Sequence, residues 1–223
     1  TIVIERVGEN WILTSPVKGP ANALRARALA ALVAAPVVRG YAREDLSLVA
    51  SGLAPPRFEL ELNDLQLDLG ITEPLEGLRY VATGQKIHLV VDRIAHHLGA
   101  TPTGFRSPSL LGATPKVRSL RFKDLTVERS ETELKWHPES AAKSADQVVT
   151  LLSLWESATA FLVEPFNLSL RWDTPIHVRT DAEKDIRFLV ARTPKNVIFG
   201  RQDLNVQYRL SADRGVKLLS ITP

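Results

Sequence analysis

Between Phe58 and Leu69 the apolar residues fall on even positions as far as Leu62 and on odd positions from Leu65. A straight strand would throw the second set onto the opposite face, because side chains alternate with a period of two. A hairpin with Asn63-Asp64 as a two-residue loop removes the conflict. It pairs Leu62 with Leu65, Leu60 with Leu67 and Phe58 with Leu69 on one side. A β-bulge at the same place is the second solution. The stretch 118–129 repeats the pattern around Lys123-Asp124, which sets Phe122 against Leu125 and Leu120 against Val127.

A string of polar residue, Asp, Leu, polar residue and Leu or Val recurs with Asp45, Asp64, Asp124 and Asp203. The separations lie near multiples of about twenty residues, as a repeated hairpin unit would give. Alternation alone also produces such strings, and no repeat signature with a known period matches.

Further strands are predicted at Thr1–Val7 and 11–13 around Gly8, at 78–82 and 87–91 around Thr83-Gly84, and at 166–172, 176–178, 186–190 and 197–199. A last hairpin is expected from 204–210 and 216–221, turning at 212–215. Two helices are predicted, at about 21–35 and 145–164. The first rests on its Ala, Leu and Arg content and ends at Pro36; its apolar positions run nearly all round, so it should be well covered. The second rests on Ser144 with Gln147 as a capping box and on the stripe Val148, Leu151, Leu152, Trp155, Thr159 and Leu162, with Pro165 as its stop. The expected class is therefore mainly β (α+β): an antiparallel sheet or sandwich built from hairpins and packed with two helices. One domain of 1–223 is expected, with a subdivision into 1–98 and 116–223 as the alternative. The Pro-, Gly-, Ser- and Thr-rich segment 99–115 marks that boundary and reads as a linker, an arm or a functional loop.

Composition narrows the chemistry. The 223 residues hold no Cys and no Met. Disulfides, thiolate nucleophiles and Cys-based metal sites are thereby excluded. The 28 basic and 25 acidic residues give a net charge of +3, with the basic ones spread along the chain, which needs no nucleic acid to explain it. No apolar tract reaches the ~20 residues of a spanning helix, and no signal peptide is visible. Thr1 is small enough to follow a removed initiator; processing or trimming are the alternatives. The expected location is the cytoplasm or an assembled particle.

Few residues suggest a site. Asp92 and His96 would share a face at i, i+4 if helical and are the best local metal-ligand candidates; two histidines beside a helix dipole are the simpler reading. No nucleophile elbow or glycine-rich phosphate cradle is present, so no catalytic residue and no cofactor are expected. Lys116, Arg118, Arg121 and Lys123 beside Phe122 form the densest basic cluster, read as a guarded sheet edge. Trp136, Trp172, Phe105 and Arg106 are the candidates for a partner interface.

These features lead to a non-enzymatic structural subunit of a larger assembly, of phage tail, baseplate or virion type, with other protein subunits as partners in a homo- or hetero-oligomer. The arm-like 99–115 segment, open strand edges and a final strand at the C-terminus are the features that fit. A lipid-binding or membrane-associated domain, with apolar strands lining a groove, is the alternative. A nucleic-acid-binding module comes third.

Overall fold

The computed structural model describes residues 1–113, 115–141, 144–173, 175–181 and 185–221. It is mainly β, with 44% strand and 20% helix in antiparallel sheets. In chain order the elements are β1 (Val3–Val7), β2 (Asn10–Ser15), β3 (Gly19–Pro20), α1 (Ala23–Ala30), β4 (Val37–Ala42), β5 (Phe58–Leu62), β6 (Leu65–Thr72), β7 (Leu78–Thr83), β8 (Lys86–Val91) and α2 (Ala95–Leu98). Then come β9 (Val117–Phe122), β10 (Leu125–Arg129), β11 (Leu134–His137), α3 (Ala145–Glu156), β12 (Leu162–Pro165), β13 (Ile176–Thr180), β14 (Ile186–Arg192), β15 (Asn196–Arg201), β16 (Val206–Ser211) and α4 (Ala212–Lys217). They form two compact units, Leu24–Ala100 and Thr1–Ala23 with Thr101–Pro223.

The unit Leu24–Ala100 is built on a five-stranded sheet ordered β4-β8-β7-β6-β5. Its β5–β6 hairpin has the register expected from the phase switch: Phe58 opposite Leu69, Leu60 opposite Leu67 and Leu62 opposite Leu65. Leu67 and Leu69 are buried. On the other side of the sheet, Leu53 packs on Ala82 and Ile87, with Leu46, Leu48 and Tyr80 around them.

The second unit carries a small β1-β2-β3 sheet and an eight-stranded sheet ordered β11-β10-β9-β13-β14-β15-β16-β12. The β9–β10 hairpin pairs Phe122 with Leu125 and Leu120 with Val127. Successive strands keep their apolar residues on this same face: Val178 lies opposite Leu120, Ile176 opposite Phe188, and Val190 opposite Phe199, which faces Tyr208. The helix α3 lays Val148, Leu151, Leu152 and Trp155 into the core that this face builds. The Trp155 ring stands 5.6 Å from both Phe188 and Phe199.

Several expectations are corrected by tertiary pairing. The helix predicted to run to 164 ends at Glu156. Beyond it Ala158 and Ala160 exchange backbone bonds with Leu110 and Pro108, and 162–165 pairs with β16. Strand pairing there outweighs the helical stripe, and Leu162 is left exposed. Ser144 takes the N-cap position but makes no side-chain cap bond. The predicted last hairpin is replaced by β16 and α4. Gly215, read as a turn residue, instead lets the helix approach β15: a Cβ there would lie 2.2 Å from Val197. Residues 166–173 form no strand. Phe166 and Trp172 stack at 4.7 Å over Gly200, where a Cβ would meet both rings. The first helix is α to Ala30 and 3-10 to Ala34. Leu24 and Val33 on it are exposed, so its cover is one-sided.

Of the segment 99–115, residues 101–113 and 115 fold onto the unit they belong to, with residue 114 outside the described residues. Asn22 donates to the Phe105 carbonyl, Ser107 to that of Pro20, and Leu110 and Leu111 are buried. The recurring Asp-Leu string marks turns of three kinds. Asp64 and Asp124 sit in two-residue loops, Asp203 lies in the longer connection from Arg201 to Val206, and Asp45 ends a 3-10 turn.

Two-residue loops at Gly8-Glu9, Asn63-Asp64, Gly84-Gln85 and Lys123-Asp124 place a positive φ on the first residue (60°, 52°, 55° and 48°). Lysine pays the largest steric penalty of these three residue types in that region, because its Cβ crowds the carbonyl. Lys123→Val is expected to be about 1–2 kcal/mol less stable than Lys123→Gly, read by urea unfolding. Equal stabilities would contradict the turn.

Candidate functional site

In the unit Leu24–Ala100 the residues with chemical potential are engaged in structure. The side chains of Arg79 and Asp92 are 8% and 5% exposed. Arg79 donates from Nη2 to Asp92 Oδ2 at 2.7 Å and to Thr72 Oγ1 at 2.9 Å, and from Nη1 to the Gly70 carbonyl. The Thr72 hydroxyl donates to the same Asp92 oxygen. Oδ1 accepts from the backbone N–H groups of Ile94 and Ala95, at 3.2 and 3.0 Å, so Asp92 holds the start of α2. Burial raises the Asp92 pKa, but Arg79, Thr72 and the Ile94 amide together outweigh it and hold the carboxylate below its ordinary value.

Asp92 therefore precedes the helix rather than sharing a helical face with His96, and both its oxygens are occupied. His96 is exposed, with its ring 3.8 Å from that of His97. His97 is 8% exposed. Burial, then His96 and Arg25, lower its pKa, which favours the neutral imidazole. Arg25 bonds the carbonyls of His96 and His97. Among the described residues no three His, Asp or Glu side chains converge as metal ligands.

In the other unit, two of the four interface candidates lie inside the fold. Phe105 is 5% and Arg106 3% exposed. Arg106 Nη2 donates to the Val17 carbonyl. Trp136 is half-buried against the core and donates to the Glu139 carbonyl, and Trp172 is half-buried on Phe166. The basic cluster does not act as one: Arg118 pairs with Asp181, and Phe122 is buried. Lys116 and Arg118 do line an open depression with Arg129, Ser130 and Glu131. On the outer face of the eight-stranded sheet, Arg121 lies opposite His177, which lies opposite Arg187. Arg121 and Arg187 are exposed.

Sequence reasoning passed over the edge of the five-stranded sheet. β4 pairs only with β8 in that sheet, and five of its six residues are exposed. Val38 is the extra residue of a bulge, since Val37 and Arg39 oppose the consecutive Val90 and Leu89. Val37, Val38 and Val91 are 52%, 50% and 50% exposed. The signal in the sequence was the β-branched pair directly after Pro36, which ends a helix and favours extended backbone.

Comparison with protein-family models, curated proteins and solved structures finds no match. Among the described residues, no helix is long and apolar enough to cross a membrane.

Replacing Asp92 by Asn leaves Arg79 charged and buried, and is expected to cost about 3–5 kcal/mol near neutral pH. The sign with pH follows from the lowered pKa. The contribution is complete above the unfolded carboxylate range near pH ~4 and is lost as pH falls through the lower folded value. Urea unfolding of both proteins should show their difference shrinking in acid; a constant difference would contradict the pair.

Proposed function

We propose that the chain is a non-enzymatic structural subunit of a larger assembly, and that β4 is where a strand from a neighbouring subunit adds to it. The observation that carries this is the β4 edge itself. Among the described strands β4 pairs with β8 alone; the Ala42 N–H is taken by Asp45, and the rest of this edge offers hydrogen bonds to another chain, with the valines beside it offering apolar contact. Soluble monomeric domains guard such edges with charge or bulges. Here the bulge at Val38 and the ion pair of Arg39 with Glu76 restrict which partner strand can dock, while Val37 and Val38 remain uncovered. The tail, baseplate or virion class fits a β-rich chain free of cysteine; of the features expected to serve it, residues 105–111 bond and pack within their own unit and 212–217 is helix in place of a final strand.

A second reading draws on the row of Arg121, His177 and Arg187. Arg121 and Arg187 present positive charge on one face, with His177 between them and Asp185 within 3.2 Å of the His177 ring. A nucleic acid would be held there by phosphate contacts. Of the strands the lipid reading draws on, Phe58–Leu69 buries Leu67 and Leu69 and leaves Phe58 exposed, and 166–172 forms no strand.

Size-exclusion chromatography with light scattering on the full chain tests the assembly. A defined multimer is expected, and the double substitution Val37→Lys and Val38→Glu should weaken it by about tenfold or more, ~1.4 kcal/mol. A monomer that stays monomeric with or without these substitutions would overturn the proposal; retention of a labelled oligonucleotide that falls steeply with salt would favour the second reading.

A further inference from the structure

We infer that the strand received by β4 is the β4 of a second copy of this chain, paired antiparallel across a two-fold axis at Gly40. This rests on the reading of β4 as a docking edge and names what docks there.

Gly40 is the first argument. It stands inside a strand, where glycine weakens a sheet because it has more freedom to lose and no side chain to pack. Its own fold does not require it. Its φ lies outside the left-handed region, and a Cβ there would meet only His88 Nδ1, at an ordinary 3.9 Å. By contrast, a Cβ at the strand residues Gly70 or Gly200 would lie 2.2 Å from the Ser51 carbonyl oxygen or 2.5 Å from the Phe166 ring. A bare strand position that its own fold leaves unused suits the close approach of another backbone.

The main chain points to the same residue. The Ala42 N–H bonds the Asp45 carboxylate at 3.2 Å, away from β8, and the next N–H, that of Arg43, bonds the Gln85 carbonyl at the start of β8. Alternation gives Gly40 the outward direction of Ala42. Two Gly40 residues facing each other then exchange a pair of N–H···O=C bonds at the axis.

Side chains fit this register. A two-fold axis normal to the sheet joins each face to its own copy, so residues opposite one another across the new pair share a face. With Gly40 on the axis, Arg39 falls opposite Tyr41 of the second copy, and Tyr41 opposite its Arg39. Each guanidinium meets a tyrosine ring, whose face is negative. An axis at Arg39 would instead set two arginines directly opposite, where they repel. The ion pair of Arg39 with Glu76 gives the edge one charge of each sign, so the copies approach without net repulsion. The bulge at Val38 confines the pairing to the few residues around the axis. Such a dimer is closed and uses both open edges, and two-fold dimers are the commonest soluble oligomers.

The chain has no cysteine, so the axis is open to a direct test. Gly40→Cys places a thiol at the one position that faces itself, with Cα atoms about 5.5 Å apart in a hydrogen-bonded antiparallel pair, inside the range of about 4.4–6.8 Å for a disulfide. Copper-catalysed oxidation or a short bis-maleimide should link the full chain into a covalent dimer on a denaturing gel. Glu59→Cys, on the opposite edge of that sheet, should not link. Gly40→Pro spares the bonds to β8, which do not use the Gly40 N–H, and should weaken the dimer about tenfold or more in light scattering. If Gly40→Pro does not fold, as judged by circular dichroism, the cross-link decides. A multimer weakened by Val37→Lys with Val38→Glu, in which Gly40→Cys links no better than Glu59→Cys, overturns this inference and leaves the docking edge standing. So does a folded Gly40→Pro that dimerises unchanged. A chain that is monomeric throughout overturns both.

Discussion

An antiparallel sheet eight strands wide turns one whole face of apolar side chains in one direction, and that face must be kept from water. Every other feature of its unit answers this demand. Val117, Leu120, Val127, Ile176, Val178, Phe188, Val190, Phe199 and Leu210 share the face and are all buried. The helix α3 supplies the cover, with Trp155 at its centre between Phe188 and Phe199. Its indole N–H donates to the Leu218 carbonyl at 3.0 Å, so the residues after α4 satisfy the one polar atom that this large side chain takes into the core. Gly215 then admits α4 against β15 closely enough for that bond to form.

The hairpins were legible because a two-residue loop shifts the phase of alternation by one, and the shift is visible in the order of residues. Leu62 and Leu65, or Phe122 and Leu125, can share a face only if the chain reverses between them. The start of α3 was legible for a similar reason, since Val148, Leu151, Leu152 and Trp155 recur at helical spacing. Its end was not. Ser157 to Leu162 continue the stripe on paper, but backbone bonds from Ala158 and Ala160 to a segment about fifty residues earlier decide the conformation, and no local pattern encodes a partner so distant. Gly200 and Gly215 were opaque in the same way. Gly215 falls in a predicted turn and Gly200 drew no notice, and each is a place where a helix or aromatic rings come against bare backbone.

The candidate site was less legible than the fold. Asp92 drew notice as a possible ligand, and its real partner, Arg79, lies on a neighbouring strand with nothing in the sequence to join them. Arg106 drew notice as an exposed contact because its segment is rich in Pro, Gly and Ser, which usually marks a surface loop. The segment instead returns to Pro20 and Ala21 and takes the arginine inside. Polar residues buried in this way explain much of the internal order of both units, since each must find a partner or be left at a cost. Where both oxygens of a buried carboxylate are hydrogen-bonded, as at Asp92, the residue is structural. Where main chain lies at a sheet edge, as along β4, it can accept a further strand.

The dependence of the eight-stranded sheet on its cover is tested most directly by native-state hydrogen exchange, followed residue by residue. The amides of α3 and of β13 to β16 should exchange only through one shared opening, with the highest protection in their unit. Exchange of α3 that is orders of magnitude faster than that of β14 and β15 would show the helix to be dispensable, and would contradict the account.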